Sequence, residues 1–288
     1  MKRTLSLIWK EFIYGGHLQC LGVLGIVYVS SFLLDIKISW EILLLAYLIF
    51  YPIYINDRLR WIELDESTNL ERTKHLKGYL PLAPKIISFS VLALAVLLIY
   101  IGNLKLAVFS FALLLLGFLY PFYFKNLTKK IVAFKNFYVA AFFTIITLLP
   151  IIYHPQPMAT SSIILLTSLM LLIFSKTVLM QIFLDCKDID NDKSLGLLTI
   201  PALIGKEKTL AFLKIGSAFV TILILFISIF FIRDFPLQML MLFLVVPFNF
   251  YSYNLARKQN YFGYILASGE FLLWPILILM AEITMTIT

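Results

Sequence analysis

Apolar residues run along this chain in blocks of about 20, separated by short polar intervals, and the blocks set the element count. A helix rises 1.5 Å per residue, so about 20 mainly apolar residues cross a hydrocarbon core of roughly 30 Å. Blocks of that length fall near residues 17–36, 40–55, 86–102, 105–124, 136–153, 158–184, 209–232, 236–253 and 261–281. The stretch from Asn136 to Ser175 carries no charge and is long enough for two spans. Tyr153-His154-Pro155-Gln156-Pro157 divides it, because proline cannot donate within a helix and disfavours helix in the residue before it. The pattern predicts an all-α polytopic membrane protein of about nine transmembrane helices. Ahead of the first span, Lys10 and Glu11 interrupt the apolar stretch before a secretory core develops. That segment reads as an amphipathic helix on the membrane surface, with Trp9, Phe12 and Tyr14 at the interface.

Composition narrows the class. Apolar residues make up 61% of 288 and charged residues 14%, too few charges to cover a soluble domain of this size. Two cysteines cannot build a disulfide scaffold; Cys20 and Cys186 read as free thiols near the cytoplasmic side. The 26 Phe and 15 Tyr exclude a disordered chain. Basic residues fix the orientation. Of 24 Lys and Arg, only Lys37, Lys105 and Arg233 fall on one side, Lys176 lies within a span, and the rest lie on the other side. The positive-inside rule then places the N-terminus in the cytoplasm. The net charge of +8 belongs to a face suited to anionic headgroups and substrates, with no nucleic-acid partner needed.

Acidic residues locate candidate chemistry. Nine of 16 lie in two segments that continue the cytoplasmic ends of the second and sixth spans. The first runs from Asn56-Asp57 through Glu63, Asp65 and Glu66 to Asn69, Glu71, Arg72 and Lys74. The second runs from Asp185 through Asp188, Asp190 and Asp192 to Gly196, Thr199 and Pro201. Their recurrence four helices apart predicts one transmembrane domain over 1–288 with an internal four-helix repeat, roughly 17–124 and 136–253. On a continuous helix Asp185, Asp188 and Asp192 fall within about 60° of one another, with Asp190 elsewhere, and Asp57 and Asp65 lie about 80° apart. Mg²⁺ takes few protein carboxylates and completes its shell with phosphate oxygens and water. Two carboxylate faces with Arg and Lys nearby therefore point to a metal-bridged diphosphate, against the plainer reading of solvated loop charges. His17, His75 and His154 are dispersed and predict no zinc site.

The second segment resembles the second aspartate-rich motif of the UbiA superfamily of intramembrane prenyltransferases, D-x-x-D-x-x-x-D-x-x-x-G-x-x-T-L-P. Asp185, Asp188, Asp192, Gly196, Thr199 and Pro201 match it, with Ile200 for the leucine and Gly205 at the later glycine. The first segment resembles N-D-x-x-D-x-x-x-D at Asn56-Asp57, but Arg60 and Leu64 occupy the next aspartate positions. A one-residue insertion brings Asp65 to the last position, leaves Trp61 at the middle one and makes Glu63 a substitute ligand. Tyr120-Pro121-Phe122-Tyr123-Phe124-Lys125 resembles the Y-P-x-x-x-R/K stretch after the fourth helix.

The resemblance implies a UbiA-like bundle and Mg²⁺-dependent transfer of a prenyl group from an allylic diphosphate to a lipophilic or aromatic acceptor. It implies Asp57, Asp65, Asp185, Asp188 and Asp192 as metal ligands, and Lys125 as the basic contact to diphosphate. Asn56 belongs to the same motif, and Arg72 and Lys74 are weaker phosphate contacts. Lys176, an intramembrane cation about 13 Å deeper than Asp185, is a candidate substrate contact or half of a structural pair with Glu270. The altered first motif favours, as an alternative, a terpene cyclase that ionises the same substrate without an acceptor. A non-enzymatic or cation-transporting membrane protein is the third reading; against transport, no line of polar residues crosses the spans.

Overall fold

The computed structural model describes residues 2–60, 62–63, 66 and 69–287, and those residues contain helices and no strands. Among the described residues, seven helices are long and apolar enough to cross a membrane, or nine with each of two bent pairs taken as one span. The chain opens with α1 (Lys2–Tyr14) and α2 (His17–Leu33), bent by 59° from each other. Gly16 makes the bend at φ +91°, in the left-handed region. A Cβ there would come within 2.3 Å of the Tyr54 ring. The bend turns α1 away from the axis of α2, and Leu5, Leu7, Ile8 and Trp9 on α1 are exposed.

The second span is α3 (Trp40–Arg60), which runs past the predicted end at residue 55. Asn56 to Arg60 continue the helix, and Arg58 and Arg60 complement the negative end of its dipole. A short α4 (Leu70–Lys77) follows, then α5 (Ala83–Ile101) and α6 (Leu104–Leu119). The fourth span continues through a π-helical turn at Tyr120–Phe124 into α7 (Lys125–Leu127). The fifth is α8 (Phe134–Ile145), a 3-10 turn at Ile146–Leu148 and α9 (Leu149–Tyr153). Departures from α geometry fall beside prolines. Pro121 has no N–H for the Gly117 carbonyl, and Pro150 has none for Ile146, so the ladder shifts register at each point.

The sixth span is α10 (Thr160–Asp185), followed by the short helices α11 (Ile189–Ser194) and α12 (Ile200–Ile204). The seventh is α13 (Lys206–Phe231); the eighth joins a 3-10 segment at Leu237–Leu244 to α14 (Val245–Arg257). The ninth, predicted as one helix over 261–281, is α15 (Phe262–Ser268) and α16 (Glu270–Ile287), bent by 58° at Gly269.

Helix pairs α8–α10, α10–α13, α2–α16 and α3–α5 make the main packing contacts. The core joins Ile26, Ile42, Ile49, Leu172, Ile173, Trp274 and Ile278. The outside is as apolar as the inside: Phe89, Ile99, Leu104, Ile215 and Phe230 are each 70% or more exposed. Such a surface would aggregate in water and is at home in lipid. This is an integral membrane protein. Asp57, Asp185, Asp188 and Asp192, the π-helical turn and Lys125, Lys135 and Lys187 lie together at one end of the bundle, its basic end.

Candidate active site

A cavity of about 220 Å³ opens between the ends of α3, α6, α8, α10 and α11. Its rim is polar, with Asp57, Arg58, Lys125, Lys135, Asp185, Lys187, Asp188 and Asp192 among the lining residues. Its floor is apolar, with Phe50, Phe142, Phe143, Met180 and Phe271. Helical spacing sets the depth. Phe50 is seven residues before Asp57, Met180 five before Asp185 and Phe142 seven after Lys135, so the floor lies roughly 10 Å inside the rim.

The second aspartate segment is not the continuous helix that the spacing predicts. Helix α10 ends at Asp185, a turn covers 186–188, and Asp188 begins α11. The turn is closed by Asp188 N–H donating to the Asp185 carbonyl (2.9 Å) and Asp192 N–H to the Asp188 carbonyl (2.8 Å). The three aspartates still reach the same cavity although the chain breaks between them, and Asp190 is exposed. Gly196 and Pro201 explain the rest of the motif. At φ +68°, Gly196 ends α11 with Leu197 N–H donating to the Asp192 carbonyl (2.9 Å) and its own N–H to Lys193 (3.0 Å). Pro201 then lies in the first turn of α12, where no N–H is required. Between them Leu198 N–H donates to the Thr128 carbonyl (2.9 Å) and Ala133 N–H to the Leu198 carbonyl (2.8 Å), tying this strap to the start of α8.

Each aspartate has defined partners. Asp185 is buried, with Lys135 Nζ 3.0 Å from Oδ1 and Asn136 Nδ2 donating to Oδ2 at 2.8 Å. Asp192 is buried against the same Lys135, at 3.1 Å. Asp188 Oδ1 accepts from Asn69 Nδ2 (2.9 Å). Asn69 Oδ1 accepts from Lys187 Nζ (3.0 Å) and from the Tyr261 hydroxyl (3.4 Å). Burial pushes the Asp188 carboxyl up, but Lys187, the Arg72 guanidinium and the Asn69 amide outweigh it and hold it below the ordinary carboxylate range.

Of the first segment, Asp57 lines the cavity, and its Oδ1 is buried without a hydrogen-bond partner, as is Asn56 Nδ2. Asp65 and Trp61 lie outside the described residues. Glu63 is exposed and does not line the cavity. Arg60, at the family's second aspartate position, stacks its guanidinium 3.6 Å from the centroid of Phe122 on the π-helical turn. That turn places both Tyr120 and Lys125 on the cavity wall. Arg72 is buried beside Asp188, whereas Lys74 faces away from the cavity and is exposed.

Lys176 lies apart from the cavity. Both it and Glu270 are 2% exposed, with Nζ 3.3 Å from Glu270 Oε1. Lys176 also donates to Ser217 Oγ (2.9 Å) and to Asn249 Oδ1, and Asn249 Nδ2 donates to Glu270 Oε2 (2.7 Å). The structural-pair reading describes this network. Nor are all three histidines dispersed: His17 and His75 both donate to Glu11, at 3.0 and 2.9 Å, and the Tyr79 hydroxyl donates to the same carboxylate. Among the described residues, no three His, Cys, Asp or Glu side chains form a ready metal cage. Both cysteines are free and buried, and Cys20 lines the cavity.

Lys135, Asn136 and Lys187 are site residues that the motif pattern does not single out. Lys135 and Lys187 count in the sequence only toward the positive-inside bias. The usable signal was position: Lys135-Asn136 opens the 40-residue uncharged run, so its charge had to lie at the mouth of the bundle.

A family model matches residues 81–261, that of the UbiA prenyltransferase family. Among solved structures, the chain superposes on the apo structure of a UbiA homolog from Aeropyrum pernix with a TM-score of 0.67 at 14% identity, covering 93% of this chain and 98% of that one. It also superposes on a digeranylgeranylglyceryl phosphate synthase with a TM-score of 0.52 at 17% identity, covering 97% and 98%. At these identities the likeness is one of fold. No curated protein matches the sequence.

Proposed function

The chain belongs to the UbiA prenyltransferase family, and on that premise we propose that it moves a prenyl group from an allylic prenyl diphosphate to a lipophilic or aromatic acceptor within the membrane, releasing diphosphate. One observation carries the reading: the cavity is itself amphiphilic, with carboxylates and ammonium groups at the rim and four phenylalanines and Met180 below. A prenyl diphosphate has the same division between a charged head and an apolar chain.

The donor set fits Mg²⁺. Mg²⁺ keeps few protein carboxylates and shares the rest of its shell with phosphate and water, and the open rim offers it Asp57 and Asp188, while Asp185 and Asp192 are held by Lys135. The unpartnered Asp57 Oδ1 adds a buried acceptor awaiting a cation. Bound there, the metal would neutralise charge on the diphosphate. Lys125 and Arg58 bring further positive charge to the rim and stabilise the charge that develops as the C–O bond to diphosphate breaks. Phe50, Phe142, Phe143 and Phe271 hold the chain, exclude water and offer ring faces to the allylic cation. The reading sets the basic end in the cytoplasm.

The test is diphosphate release by purified protein in detergent from geranyl, farnesyl and geranylgeranyl diphosphate, with and without Mg²⁺ and candidate acceptors. Mg²⁺- and acceptor-dependent release that Asp188→Asn lowers at least 100-fold is the expected result. Acceptor-independent release with cyclic hydrocarbon or terpene alcohol products would establish the cyclase instead. No release with any substrate and acceptor would remove the enzymatic reading.

A further inference from the structure

Two of the three second-motif aspartates already hold a cation that belongs to the chain. Lys135 Nζ lies 3.0 Å from Asp185 Oδ1, 3.1 Å from Asp192 Oδ2 and 3.2 Å from Asp192 Oδ1. The three side chains are 14%, 9% and 5% exposed, so water screens the cluster little. Backbone contacts hold the lysine in place. Ala133 adopts φ +56° to start α8, its N–H is bonded to Leu198, and Lys135 N–H donates to Thr128 Oγ1 (3.1 Å). The second Asp185 oxygen is taken by Asn136. A divalent ion shared by Asp185 and Asp192 would have to displace an ammonium already bonded to both carboxylates.

The other carboxylates differ. Asp57 Oδ1 is buried with no hydrogen-bond partner. Asp188 gives one oxygen to Asn69, and its second pairs with Lys187 Nζ at 3.8 Å, a looser ion pair than those Lys135 makes. Both residues line the cavity.

We propose that Lys135 is a built-in substitute for one of two divalent cations, so that Asp185 and Asp192 share no metal ion and the site takes a single Mg²⁺, which depends on Asp188. The proposal rests on the reading of this cavity as a metal-dependent prenyl diphosphate site. It makes Lys135 a positioning residue: it fixes Asp185 and Asp192 and supplies positive charge that no chelator can remove.

The test counts metal. Purified full-length protein in detergent is titrated with Mn²⁺ in the presence of inorganic diphosphate, and bound Mn²⁺ is read from the loss of the free-ion electron paramagnetic resonance signal. One Mn²⁺ per chain is expected in the wild type, two in Lys135→Met and one in Lys135→Arg. A second pair of variants leaves the lysine untouched: Asp188→Asn should lose the ion and Asp192→Asn should keep it. Two ions in the wild type, or one in both the wild type and a folded Lys135→Met, overturn the proposal and leave the metal-dependent reading standing. No bound Mn²⁺ in the wild type overturns both.

Discussion

Gly196 and Gly16 both adopt positive φ, yet they differ in what a side chain would meet. A Cβ on Gly196 finds nothing within 4 Å, whereas one on Gly16 would come 2.3 Å from the Tyr54 ring. Gly196→Ala therefore bears only the backbone cost, about 1–2 kcal/mol, and should lower the thermal midpoint slightly while loosening Asp192, whose carbonyl the Gly196 turn engages. Gly16→Ala adds a clash against a ring that lines the cavity and should be the more damaging in a melting experiment. Equal losses from the two would contradict this account. Asp185, Asp188 and Asp192 were legible because they lie within eight residues of one another, and local spacing encodes local geometry. Their partners were not. Asn136, Lys135 and Asn69 reach them across 49, 57 and 119 residues, distances that only the folded bundle closes.

Helix α1 is fastened to α2, α4 and the turn after α4 by Lys10–Glu71 (2.8 Å) and by Glu11, which accepts from His17, His75 and Tyr79. Burial pushes the Glu11 carboxyl up, but those three donors outweigh it and leave it below its ordinary value of 4.5. A carboxylate lowered in the folded state stabilises the protein fully above that ordinary value and loses the contribution as pH falls through the folded one. Hydrogen-exchange protection of α1, corrected for intrinsic rates, should thus fall as pH drops below 4.5. Glu11→Gln should be less protected at pH 7 and lack the fall. Elements of this kind were partly legible. Run length gave the spans to within a few residues, because a bilayer fixes how many apolar residues a helix needs. The break between α10 and α11 was hidden, since residues 185–192 contain neither proline nor glycine to announce it.

At the scale of the whole molecule, Lys176 on α10 meets Glu270 at the start of α16 in a buried network that joins two spans. Removing one partner strands the other, a loss of about 3–5 kcal/mol, whereas neutralising both can be nearly free. Lys176→Met should therefore destabilise the bundle strongly, and adding Glu270→Gln, which preserves the Asn249 hydrogen bond, should restore most of the loss. Detergent melting curves check the pair. Diphosphate release by the double variant checks the substrate-contact reading of Lys176: activity near wild type would remove it, and loss in a folded double variant would revive it.

That network also bears on how the chain is made. Lys176 enters the membrane on a helix complete at Asp185, while its counter-charge belongs to the last span and is synthesised some ninety residues later. Until then a lone ammonium at depth carries a penalty of about 2.5–3.5 kcal/mol on insertion scales, eased only by Ser217 and Asn249 as α13 and α14 arrive. Docking of α16 therefore does more than bury apolar surface: it brings the carboxylate that neutralises an ammonium carried into the bundle by α10.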